Sequence, residues 1–200
     1  MTKTIEALFD VASPNVYLAW RALPAMLRRT GAELTVTPVL LGGLFKLTGN
    51  QTPFTAFAGV KGKLAYDMLE MRRFIERHKL SKFRMNTAFP QNTLLPMRTI
   101  VAASRRGAGP RAQEALLAAM WEDDRKIDDP GELSAVYDAA GLPGAELLAA
   151  AQEQDVKDEL AANTAQAAER GAFGLPTFFV GGEMFFGKER LGQIEEMLAA

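Results

Sequence analysis

The spacing of apolar and polar positions changes character several times along the chain. Residues 3–9 form a short, mostly apolar run of strand type. From Val16 to Leu27 the apolar residues recur at helical spacing. Ser13 has the chemistry of an N-cap, Pro14 suits a first turn, and Arg28, Arg29 and Gly31 mark an end, so a helix is predicted over 14–29. Residues 33–40 alternate and then become wholly apolar, which predicts a second strand. A strand, a helix and a short return to a strand imply a parallel, right-handed pair. Pro38 has no N–H to donate, so this strand should carry a bulge or pair on one side only.

A short helix within 41–50 and a loop through Gly62 lead into helical patterns at 62–78, 92–106, 110–125, 130–140, 143–152 and 154–170. Pro96 marks a kink or a first turn, and the alanine runs at 115–119 and 145–151 favour helix. Strand character returns after Gly171. A turn and a buried strand run to Val180, Gly181-Gly182 make a two-residue hairpin connection, residues 183–186 return, and a final helix covers 188–199. The predicted layout is β-α-β, a long helical block, then β-β-α. It implies one mixed sheet shared by two distant parts of the chain, with the helical block inserted between them.

Composition narrows the chemistry. At 200 residues and 48% apolar, the chain fits one domain, or one with a large insertion. A net charge of −1 leaves no electrostatic footprint for nucleic acid. No apolar run has membrane-spanning length, and no basic region followed by an apolar stretch opens the chain, so the expected location is the cytoplasm. The complete lack of cysteine excludes disulfide exchange and a cysteine nucleophile on this chain. The one histidine, His78, reads as a solvated residue, which argues against a histidine metal site or a Ser-His-Asp triad. The acidic group Glu122, Asp123, Asp124, Asp128 and Asp129 lacks calcium-loop spacing and reads as a solvated helix end; no metal is expected. Gly181, Gly182 and Gly187 lack dinucleotide-fingerprint spacing.

The stretch at 9–17 has the most chemical promise. A hydroxyl at a strand-to-helix junction faces unpaired N–H groups and the positive end of a helix, where an anion such as a thiolate is stabilised. Taken alone, a Ser-Pro after a strand reads as a helix cap far more readily than as a catalytic residue. Gly174-Leu175-Pro176-Thr177 precedes a buried strand, at the place where proteins of the thioredoxin fold, which this layout resembles, carry a cis-proline loop; the resemblance implies a cis Pro176, with the Leu175 backbone turned toward the first helix, opposite Ser13.

These pieces resemble a known family. The layout is that of a thioredoxin fold with a helical insertion. The sequence is similar to 2-hydroxychromene-2-carboxylate isomerases and kappa-class glutathione transferases, in the DsbA-like branch of that fold. The resemblance runs over nearly the whole chain and rests on FDVASPNVYLA at 9–19, LGGLFKLTGNQ at 41–51, KGK at 61–63, FPQNTLLPMR at 89–98 and RGAFGLPTFFVGGEMFFGKERL at 170–191. The last of these leans toward the isomerases, GGLFKLTGNQ toward the transferases. The resemblance implies a discontinuous thioredoxin-like domain of residues 1–48 and 166–200, with 49–165 as a helical insertion domain.

It also implies roles. Ser13 would hydrogen-bond the sulfur of glutathione. Asn50 and Lys61 would hold the tripeptide near its glycine carboxylate. Leu175, before Pro176, would pair by its backbone with the cysteinyl unit. Lys188 and Glu189 would receive the γ-glutamyl group, with Glu189 one methylene longer than the aspartate usual there. Taken without the resemblance, Asn50 is a turn residue, Lys61 a surface lysine, and Lys188 and Glu189 first-turn decoration. Lys46 is a candidate for the carboxylate of an aromatic substrate, or a solvated lysine. Phe45, Met85, Phe89 and Trp121 are candidates for the wall of an apolar pocket, or for core. The function so implied is glutathione-dependent isomerisation of an aromatic carboxylate by a homodimer, in aromatic-compound breakdown. A kappa-like transferase or peroxidase is the alternative, and a non-catalytic binding module of the same fold is a third reading.

Overall fold

A computed structural model describes residues 3–199 of the chain. Residues 1, 2 and 200, the outer limits of the expected thioredoxin-like unit, lie outside the described residues. Four strands form one mixed sheet in the order β2-β1-β3-β4: β1 (Thr4–Phe9), β2 (Glu33–Pro38), β3 (Thr177–Val180) and β4 (Glu183–Phe186). β1 pairs parallel with β2 and antiparallel with β3, and β3 pairs antiparallel with β4. Pro38 sits opposite Phe9 at the end of an edge strand, so its missing N–H breaks no second ladder. Gly181 and Gly182 both take positive φ, 57° and 88°, the backbone a tight hairpin requires.

Helix α1 (Pro14–Thr30) packs on one face of the sheet with α10 (Leu191–Ala199). There Ile5 and Ala7 meet Ala19, Leu23 and Met26 of α1 and Ile194 and Leu198 of α10. The other side carries α2 (Leu41–Thr48), α5 (Leu94–Arg105) and α9 (Gln154–Glu169), and a second core joins Leu8 and Val11 to Met97, Ile100 and Leu160. That core continues through α6 (Gly109–Trp121), α7 (Pro130–Ala139) and α8 (Gly144–Ala150), so the helical block shares apolar packing with the sheet.

The structure departs from the predicted elements at four places. A one-turn helix, α3 (Pro53–Ala56), lies in the stretch read as loop, started by Pro53 and by the Thr52 hydroxyl accepting from the Thr55 N–H. It precedes α4 (Lys63–His78). Helix α6 stops at Trp121 rather than 125, because the 84–86 segment takes its last carbonyls: the Asn86 amide donates to Met120 and the Arg84 N–H to Trp121. The final helix begins as a 3-10 turn, Lys188–Arg190, before α10. The acidic group is not uniformly solvated. The Glu122 side chain is 12% exposed and bonds Tyr17 and Arg21, Asp124 accepts from Thr87, and Asp129 caps α7.

Candidate functional site

The junction of β1 and α1 places Ser13 at the N-cap with extended backbone, φ −96° and ψ 123°. Its carbonyl accepts from Val16 and Tyr17 and starts the helix, but its hydroxyl makes no capping bond. That hydroxyl donates instead to the Leu175 carbonyl at 3.3 Å. Typical O–H···O bonds are near 2.7–2.8 Å, so this is a loose contact that a better acceptor can replace. The Leu175-Pro176 peptide is cis, as the resemblance implies. The Thr177 hydroxyl donates to the Gly174 carbonyl at 2.7 Å, and the Gly187 N–H to the Pro176 carbonyl, which fixes the turn from both sides. No hydrogen bond runs from the Leu175 N–H to another described residue.

Asn50 follows the α2 cap Gly49, whose φ of 69° suits glycine. The Asn50 amide donates to the Phe173 carbonyl at 2.8 Å, two residues before Leu175. The Ser13, Leu175 and Asn50 positions are thus joined. Lys61 and Lys46 are both exposed, and neither makes a side-chain hydrogen bond or ion pair among the described residues. Lys188 is a surprise: its side chain is only 5% exposed, pairs with the Glu189 carboxylate, and lies over the Phe74 ring at 5.4 Å. The γ-glutamyl position named from the sequence therefore already holds an internal ion pair. Among the described residues no group of three or more acidic or histidine side chains could hold a metal ion.

The aromatic candidates divide. Trp121 is fully buried and belongs to the core, yet its indole N–H donates to the Val11 carbonyl at 2.9 Å, two residues before Ser13. Half-buried Phe89 packs on Trp121 at 5.8 Å, and exposed Phe54 meets Phe89 edge-on at 5.9 Å. Phe89 also precedes a second cis proline, Pro90, not foreseen from the sequence. Phe45 is half-buried, and half-buried Met85 packs against the larger core. Phe173 and Phe186 pair at 4.6 Å, both partly exposed.

Two residues beside Ser13 escape a reading by motif. Asp10 is completely buried and accepts from the Ala12 N–H at 2.9 Å, the Leu41 N–H at 2.7 Å and the Thr93 hydroxyl at 3.1 Å. Burial pushes its carboxyl up to about 6 against the pull of those three donors. Asn15 has a buried side-chain oxygen with no hydrogen-bond partner. The signal for Asp10 was an acid interrupting an apolar run; Asn15 carried none beyond its place in a first turn. A loosely held hydroxyl and a Leu175 N–H without a partner among the described residues are pairing groups of the kind a peptide-like thiol such as glutathione needs.

The family profile of the DSBA-like thioredoxin domain matches residues 4–199. The chain is 29% identical over 201 residues to 2-hydroxychromene-2-carboxylate isomerase of Sphingobium xenophagum, covering 99% of each. It is 27% identical over 207 residues to glutathione S-transferase kappa 1 of Rattus norvegicus, covering 98% of this chain and 91% of the transferase. A solved structure of a 2-hydroxychromene-2-carboxylate isomerase superposes with a TM-score of 0.84 at 20% identity, over 98% of this chain and 94% of the other.

Proposed function

The chain belongs to the DsbA-like thioredoxin domain family, and on that premise we propose that it is a glutathione-dependent isomerase of the 2-hydroxychromene-2-carboxylate type. The observation that carries this reading is the Ser13 hydroxyl: it stands at a helix N-cap without capping, faces Leu175 at 3.3 Å, and belongs to a chain with no cysteine. Glutathione, when bound, supplies a thiol that adds to the substrate and leaves again, so it acts as a cofactor.

Ser13 donates a hydrogen bond to the sulfur and need not attack anything. Lowering a thiol pKa of about 8.5 by about two units takes about 2.7 kcal/mol. A charge-assisted hydrogen bond of about 1.5–3 kcal/mol, with up to about 1 kcal/mol from the α1 N-terminus, suffices. The Leu175 N–H and carbonyl pair with the cysteinyl unit. Asn50 and Lys61 lie toward the glycine carboxylate, and Glu189 toward the γ-glutamyl ammonium once Lys188 yields it. Lys46 and Phe89 face the aromatic carboxylate substrate. In this reading residues 1–48 and 166–200 form the thioredoxin-like domain and 49–165 the insertion, and the enzyme works as a cytoplasmic homodimer in aromatic-compound breakdown.

The test mixes purified protein, glutathione and a hydroxychromene carboxylate and follows absorbance. Glutathione-dependent acceleration with glutathione recovered intact supports the isomerase. The kappa relative keeps a second reading in view, a transferase or peroxidase; accumulation of a conjugate or of oxidised glutathione decides for it.

A further inference from the structure

Among the described residues Asp10 is the one carboxylate side chain buried to 0% exposure, and it stands three residues before Ser13. Its hydrogen bonds reach three separate segments. One oxygen takes the Ala12 N–H, in the turn that delivers Ser13. The other takes the N–H of Leu41, the first residue of α2, and the hydroxyl of Thr93, the N-cap of α5. No side-chain hydrogen bond or ion pair joins it to a cation among the described residues. The influences on its charge are burial and these three donors, with no charged side chain of β1, α1, α2 or α5 among them. A carboxylate placed so is a costly way to fill space, and only its donors offset the cost.

The contacts also close a circuit. From Asp10 the Leu41 bond fixes the start of α2. The other end of α2 leads to Asn50, which holds Phe173. Two residues on, Leu175 accepts from Ser13, and the Ala12 bond returns to Asp10. We propose that Asp10 is the positioning residue of the serine site, pinning the Ala12–Ser13 turn in register with α2 and α5. An acid is required because donors converge on both oxygens. An amide in its place presents N–H toward one side and leaves a backbone N–H unpaired.

The proposal rests on the isomerase reading for what Ser13 does, but not for where it is held. The experiment compares the full chain with Asp10→Asn, Asp10→Glu and Thr93→Val. In the protein without ligand, amide exchange of Ala12 and Leu41 is expected to quicken about tenfold or more in Asp10→Asn, with strand amides at Ala7 and Phe178 unchanged. With glutathione, the bound thiol followed by thiolate absorbance is expected to titrate about one unit higher, about tenfold less thiolate at fixed pH, with affinity within about threefold. Asp10→Glu, with a longer arm, should not restore it. Thr93→Val keeps both backbone bonds and is expected to shift both readouts the same way by less, and it decides the matter if Asp10→Asn does not fold. Unchanged Ala12 and Leu41 exchange, or an unchanged bound-thiol titration, overturns the proposal. If the wild type binds no glutathione, the isomerase reading falls and the amide exchange alone judges Asp10.

Discussion

Ser13 and Leu175 stand 162 residues apart in the chain, and the serine hydroxyl donates to the leucine carbonyl at 3.3 Å. The bond is buried and long for its type. A hydroxyl held this way is oriented before any ligand arrives, yet little is lost when it turns to a better acceptor.

Replacing Ser13 by Ala removes that donor. The expected result is glutathione affinity within about threefold of wild type and a bound thiol pKa higher by about one to two units, the worth of a charge-assisted hydrogen bond. Calorimetry and thiolate absorbance read the two quantities separately. A bound thiol that titrates identically in wild type and Ser13→Ala would take Ser13 out of the mechanism.

Asp10 makes stability depend on pH. Its carboxyl is raised to about 6 in the folded chain against an ordinary value of 3.8, so the folded state holds its proton over a range where the unfolded chain has lost it. The contribution is fully present below about pH 4 and is lost as pH rises through about 6, a change of about 3 kcal/mol. Urea midpoints of wild type and Asp10→Asn at several pH values give the difference directly. Wild type should gain on the variant as pH falls from about 8 to about 4; a constant difference contradicts the linkage.

The fold was legible because its signals are local. The N-cap and proline at 13–14, the Gly181-Gly182 hairpin and the proline after Leu175 each constrain the backbone within a few residues. Ser13 and Leu175 followed from that framework. Asp10 was not legible as a clamp, because its partners Leu41 and Thr93 lie 31 and 83 residues away. Nor was the end of α6, set by the Asn86 amide 34 residues upstream. For Lys188 the sequence offers a γ-glutamyl contact by resemblance or first-turn decoration, and only packing against Phe74 of α4 shows it to be buried.

Trp121→Phe keeps an aromatic ring in the core but removes the donor to the Val11 carbonyl. A buried carbonyl left unpaired costs about 1–3 kcal/mol, and the smaller ring adds a packing loss of order 1 kcal/mol. Denaturant unfolding is expected to show a loss of about 2–4 kcal/mol. Because Val11 lies two residues before Ser13, activity should fall further than Phe89→Leu makes it fall. Full stability in Trp121→Phe would mean that water or another donor replaces the indole.

Asn50→Ala removes the amide that holds Phe173. The site is exposed, so global stability should drop by no more than about 1.5 kcal/mol. Glutathione affinity should drop more than that bond alone accounts for, since the loop carrying Leu175 loosens with it. Hydrogen exchange at Phe173–Leu175 measures the loosening, and Asn50→Asp, which cannot donate, should behave no better than Ala. Affinity and exchange both at wild-type levels would reduce Asn50 to a turn residue.

Lys188 and Glu189 allow the sharpest reading of the γ-glutamyl position. The lysine is buried against Phe74 while its partner Glu189 is half exposed, so an incoming ammonium must compete with one already present. Lys188→Met keeps the length and gains a sulfur–aromatic contact with Phe74, and it removes a charge from a dry position. Stability should change by less than about 1 kcal/mol, because a half-exposed ion pair contributes only about 0.2–1 kcal/mol. Glu189 would then meet a ligand ammonium without a rival. Glutathione should bind about 1.4- to fivefold tighter, the same energy expressed as affinity. An analogue lacking the γ-glutamyl amino group should show no such gain. Weaker binding in Lys188→Met would instead mean that the lysine itself holds the ligand, through its carboxylate, and that the internal pair opens to meet both ends of the zwitterion.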